Sequence, residues 1–104
     1  MFVEMKVFKL AVGNSESILN KFSKSGIINT QPGFVDMAVM KKVRKADHEE
    51  VVVEIRWESQ DAYTAWKRSD AHKAGHGAKK ERPDYILDVT MDTYHVETFK
   101  TPIK

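Results

Sequence analysis

Residues 2–12 (FVEMKVFKLAV) alternate with a two-residue period, and both faces of that alternation carry apolar side chains. Phe2, Phe8 and Leu10 lie on one face with Lys6 among them; Val3, Met5 and Val7 lie on the other. Such a segment reads as a β-strand whose two sides both need cover. Helices cover one face of a small antiparallel sheet. The simplest cover for the second face is a copy of itself, so a two-fold homodimer is expected. The alternative is a sheet with scattered exposed apolar residues, which soluble proteins tolerate.

The rest of the chain supplies the other elements. Gly13-Asn14-Ser15 breaks the strand, and Asn14 or Ser15 can cap a helix whose apolar stripe is Ile18, Leu19 and Phe22. That helix is expected to run to about residue 25 and to end at Gly26. Gln31-Pro32-Gly33 is a turn signal, after which Val35, Met37, Val39 and Val43 form a second strand. A charged hairpin-like turn, Arg44 to Glu49, leads to a third strand through Val51, Val53, Ile55 and Trp57. Ser59 opens a helix with Tyr63 and Trp66 on one side, and Ser69 caps a short helix from Asp70 to about His76, closed by Gly77. A basic loop with Lys79, Lys80 and Arg82 precedes a long strand, Ile86 to Phe99. In that strand the apolar phase shifts between Leu87/Val89/Met91 and Tyr94/Val96, which predicts a β-bulge near Asp92. The order β-α-β-β-α(α)-β is the split-βαβ, ferredoxin-like pattern of an α+β antiparallel sheet. At 104 residues it is expected to be a single domain, 1–104.

Composition removes several classes. No cysteine is present, which excludes disulfides, thiolate zinc or iron–sulfur sites and thiol catalysis. Seventeen Lys and Arg against fifteen Asp and Glu, with signs interspersed, do not suit a dedicated nucleic-acid binder. No apolar run approaches the ~20 residues of a membrane span. MFVEMKVFKL lacks the apolar core of a signal peptide, so a cytoplasmic location is expected.

Chemistry concentrates in residues 66–77, WKRSDAHKAGHG. His72 and His76 are four apart and share a helix face, flanked by Ala71, Ala74, Gly75, Gly77 and Ala78. Small neighbours let a broad, flat ligand approach an imidazole. Three readings are open at this point: solvated surface histidines, a zinc site that still lacks a third ligand, and an axial ligand to haem iron. Trp57 reads as core, whereas Trp66 can line the same cavity as His76. Lys6 reads as an edge charge snorkelling outward, with a polar pocket as the alternative.

The Gly13-Asn14 strand exit, Phe22, the Pro32-Gly33-Phe34 turn, the Arg56-Trp57 strand end, Trp66 to Asp70 and Lys73 to His76 together carry a resemblance. Residues 82–88, RPDYILD, add to it. Over nearly its whole length the chain resembles the antibiotic biosynthesis monooxygenase superfamily, and within it the haem-degrading monooxygenases of the IsdG and HmoA type. The resemblance implies a dimeric α+β barrel with one haem per subunit. It also implies His76 as the axial ligand to the haem iron and Trp66 as the aromatic that crowds and ruffles the porphyrin. Phe22 is implied at the haem-binding wall. The family's first-strand asparagine falls on Lys6, an ammonium where the pattern has an amide.

The activity implied by the resemblance is that of a haem-degrading monooxygenase, which opens the porphyrin to a bilin-type product and releases iron. Haem is then cofactor and substrate, with O₂ and an external electron donor or reductase as partners, since no flavin or dinucleotide motif is visible. The alternatives are a non-enzymatic haem-binding or buffering protein and a cofactor-free monooxygenase of the same superfamily.

Overall fold

Strand pairing in the computed structural model matches the expected alternation closely. The structure describes residues 1–44, 46–76 and 82–103, with the side chains of residues 74–76 outside that description. The expected closing residue Gly77 and the loop lysines Lys79 and Lys80 lie outside the described residues. The elements are β1 (Phe2–Leu10), α1 (Ser15–Phe22), a 3₁₀ turn (Ile27–Thr30), β2 (Phe34–Lys41), β3 (Glu49–Trp57), α2 (Gln60–Arg68), α3 (Asp70–His76) and β4 (Ile86–His95). The sheet order is β2-β3-β1-β4 and every neighbouring pair is antiparallel, the ferredoxin-like arrangement.

Register fixes which side chains share a face. Phe2 pairs with Trp57, Lys6 with Val53 and Phe8 with Val51, so these six stand on the helix-covered side. Phe8, Leu10, Ile18, Val51 and Val53 are buried together, with Leu19, Phe22, Met37, Val39, Ile55 and Val89 packed around them. Each of the five buried side chains contributes about 1.5–3 kcal/mol by leaving water. The other face presents Val3, Met5 and Val7 of β1 beside Val52, and Met40 and Tyr94 there are exposed.

The cap of α1 comes from a distant strand. Glu49, the first residue of β3, accepts hydrogen bonds at Oε1 from the backbone N–H groups of Gly13, Asn14 and Ser15, each 3.1 Å, and from Ser15 Oγ at 2.7 Å. The Ser15 hydroxyl and these amides hold the Glu49 carboxyl below its ordinary range. Asn14 makes no cap bond of its own; its amide donates back to the Ala11 and Val12 carbonyls. The α2–α3 junction is local, as expected. Ser69 Oγ donates to the Trp66 carbonyl at 2.7 Å and accepts from the His72 N–H at 3.1 Å, so one residue closes α2 and opens α3.

Several boundaries differ from the sequence reading. β2 stops at Lys41, leaving Val43 95% exposed, α1 stops at Phe22, and β4 stops at His95. The register shift of β4 lies at its start, where Leu10 pairs with Ile86 and Lys9 with Asp88, leaving Leu87 unpaired. No bulge lies near Asp92, which pairs regularly with Met5. Tyr94 changes phase because it sits on the opposite face, against Val3, and a strand apolar on both faces needs no irregularity to do that.

Gly33 has φ +80°, and a Cβ added there would stand 2.5 Å from Ala62 Cβ. Its carbonyl also accepts the Glu58 N–H at 2.8 Å, so this turn seats the start of α2 against the sheet. Gly13 has φ +89° but nothing within 4 Å. Gly33→Ala is therefore expected to lower the unfolding free energy by about 2–4 kcal/mol, strain and overlap together. Gly13→Ala should cost only the conformational share, about 1 kcal/mol. Urea unfolding of both variants checks this, and Gly33→Ala/Ala62→Gly should recover part of the larger loss.

Candidate functional site

Between the covered face of the sheet and the helices lies a cleft of about 440 Å³, within the usual size range of small-molecule sites. Its floor is Glu4, Lys6 and Phe8 of β1 with Met37, Ile55 and Val89 from the other strands. Phe22, Ile27 and Ile28 form one wall; Trp66, Lys67, Ala71 and His72 form the other, and Lys21, Lys24, Gly26 and Asn29 complete the lining.

Lys6, Trp66 and Phe22 are thus brought to one cavity. Lys6 is not an edge residue: β1 lies between β3 and β4, and its side chain lines the cleft. The outward-snorkelling reading fails because alternation gives the face of a residue but not its strand's place in the sheet. Burial lowers the proton affinity of the Lys6 amine, the positive charges of Lys67 and Lys21 lower it further, and Glu4 opposes them. Phe22 packs against Phe8 at 5.9 Å between ring centroids. Trp66 stacks on the buried Trp57 at 6.4 Å and meets the edge of His72 at 5.2 Å. The helix α3 runs to His76, so the two histidine positions share one helix; the His76 side chain lies outside the described residues. Trp66 also borders a second cleft of about 310 Å³, formed with Gln31, Pro32, Gly33, Glu58, Ala62 and Ala65.

Sequence reasoning missed a charged group in the floor. Glu4 is buried, and its Oε2 lies 3.1 Å from Lys67 Nζ. The Tyr63 hydroxyl donates to the same carboxylate, and Lys67 Nζ sits 5.5 Å from the Tyr63 ring centroid. Glu4 shares the parity of Lys6 in the first strand, which was the available signal; nothing in the spacing named Lys67 as its partner. Glu4 is buried while Lys67 is partly exposed, so removing Lys67 would leave a buried carboxylate uncompensated. Among the described residues, no group of three or more His, Cys, Asp and Glu gathers as a metal site, and no helix is long and apolar enough to cross a membrane.

Comparison with known proteins gives a consistent result. The family model for antibiotic biosynthesis monooxygenase matches residues 1–78. The chain is 44% identical over 103 residues to the haem-degrading monooxygenase HmoA of Bacillus subtilis (strain 168), covering 96% of this chain and 94% of that protein. It is 31% identical over 103 residues to a haem-degrading monooxygenase of Bacillus thuringiensis (strain Al Hakam), covering 99% and 96%. The crystal structure of a candidate antibiotic biosynthesis monooxygenase from Bacillus cereus superposes with a TM-score of 0.88 at 38% identity, covering 97% of each chain.

Tyr63 offers a direct check on the geometry of the cleft floor. Burial, then the hydrogen bond to Glu4 and the charge of Glu4, push its phenol above the ordinary value of 10.0. A folded-state value raised above the unfolded one favours the fold below that ordinary value, and the advantage is lost as the pH rises beyond it. Phenolate absorbance should therefore show one tyrosine ionising late, and Tyr63→Phe should abolish that late component.

Proposed function

Because this chain belongs to the antibiotic biosynthesis monooxygenase family, we propose that it is a haem-degrading monooxygenase, opening the porphyrin oxidatively to a bilin-type product and releasing the iron. Its nearly full-length similarity to relatives that carry this activity in their names supports the reading. The observation that carries it in this structure is the cleft itself. Apolar side chains of Phe22, Ile27, Ile28 and Trp66 line it, and so do Lys6, Lys21 and Lys24, which make no ion pair among the described residues. An apolar cleft with unpaired ammonium groups fits a flat hydrophobic ligand bearing carboxylates, which is what haem is. Bound haem is the substrate and supplies the oxygen chemistry itself.

The protein's share is ligation, pressure and hydrogen bonding. His76 would hold the haem iron in this reading, the role that the family resemblance gives it. Trp66, which lines the cleft, would crowd the macrocycle. Its indole is backed by Trp57, itself buried, so a planar ligand pressing on it meets a wall that does not yield. Lys6 faces the cleft with three N–H donors and no acceptor, so it donates where an amide would both donate and accept. Phe22, held on Phe8, closes the far wall. Electrons come from an external donor and oxygen from solution.

A homodimer formed through the open sheet face belongs to the same proposal, as does action in the cytoplasm. The chain exposes 7886 Å², against about 6,000 Å² for a compact monomer of this mass. Its radius of gyration is 15.2 Å, against about 13 Å expected. An excess of that order is what a stable two-fold interface would bury.

Hemin added to the purified protein is expected to give a Soret band, which reductant and O₂ then bleach. His76→Ala should weaken hemin binding about tenfold or more, roughly 1.4 kcal/mol or above. Trp66→Ala should keep binding within about threefold while slowing bleaching at least about tenfold. His76→Ala protein that binds and degrades haem like its parent would refute the ligand assignment. A Soret band in the parent that survives reductant and O₂ would make the chain a haem-holding protein instead.

A further inference from the structure

Two ammonium groups and one carboxylate, Lys6, Lys67 and Glu4, line the same cleft. Glu4, its side chain only 4% exposed, is paired with Lys67 at 3.1 Å, and Lys67 is 27% exposed. Lys67 is held from two sides, by that carboxylate and by the face of Tyr63, whose hydroxyl in turn donates to Glu4. Lys6 stands two residues along the same strand face, about 6–7 Å away by strand geometry, and makes no ion pair among the described residues. The groups around Lys6 are Glu4 on its own strand, Lys67 on α2 and Lys21 on α1; His72 of α3 lines the same cleft, and its cross-strand neighbours Val53 and Met91 carry no charge.

Glu4 and Lys67 cancel, and the charge of Lys6 remains. We propose that Lys67 is a positioning residue: it occupies Glu4 and thereby leaves the Lys6 ammonium as the unopposed charge that the cleft floor presents to a ligand. Without Lys67, the Glu4 carboxylate would face Lys6 alone and cancel it. The opposite assignment, Lys67 as a direct ligand contact, gives a different forecast for the double variant. The identity of the ligand, haem, rests on the function proposed above; the charge arrangement does not.

The test is hemin titration of the full-length protein and of Lys67→Met, Glu4→Gln/Lys67→Met and Lys6→Met. It is paired with an NMR titration of the Lys6 ε-amine in the ligand-free proteins. Lys67→Met should bind hemin about tenfold more weakly, and the double variant should return to within about threefold of the parent. Lys6→Met should be weak with or without the other changes. In ligand-free protein the Lys6 amine should titrate at higher pH in Lys67→Met than in the parent and move back in the double variant. Lys67→Gln replaces Lys67→Met if the latter does not fold. Parent-like hemin binding by Lys67→Met overturns the proposal, and so does a double variant as weak as the single one. If the parent takes up no hemin, the haem reading falls, and the ε-amine titration alone decides: an unmoved Lys6 in Lys67→Met overturns the inference, and the stated shift upholds it.

Discussion

Glu4 and Lys6 stand on the covered face of an interior strand of the sheet, and helices cannot seal hydrocarbon over two charges without a large desolvation cost. The packing divides around them. α1 settles over the Phe8–Leu10 end through Ile18 and Phe22, and α2 settles over the Phe2–Trp57 end through Tyr63, 5.0 Å from Phe2. What is left between is the cleft. α2 reaches into it with Lys67 and the Tyr63 hydroxyl and so satisfies Glu4, which is why a carboxylate can be buried there at all.

One wall of this cleft is braced from the core outward by rings. Phe34 meets Trp57 at 5.7 Å, Trp57 stacks on Trp66 at 6.4 Å, and Trp66 meets His72 at 5.2 Å. The chain of contacts links β2, β3, α2 and α3. Each ring in the series is thus in contact with the next, from the core to the cleft.

Much of the fold was legible because its information is local or periodic. The faces of β1, the core position of Trp57, the Ser59 and Ser69 caps and the element order all come from residue type and spacing, whereas Phe22 was placed at the cleft only by the family resemblance. What escaped was non-local. Glu49 caps α1 from β3, a partnership between residues that no short-range motif joins. The Glu4–Lys67 pair joins strand to helix. Lys6 was misplaced at an edge because strand order, unlike strand face, is a property of the whole sheet. The bulge was misplaced for a related reason: apolar residues on both faces of β4 mimic a slip in register.

The distant cap of α1 bears on how the chain is made. Ser15 and Glu49 are 34 residues apart, and α1 has eight residues, too few to persist alone in water. As the polypeptide emerges from the ribosome, the segment that will become α1 reaches solvent long before the carboxylate that completes its first turn. It must wait, unformed, for the β2–β3 hairpin to arrive. The wall that carries Phe22 thus gains its cap only when Glu49 has been made, while α2, α3 and β4 are still to follow.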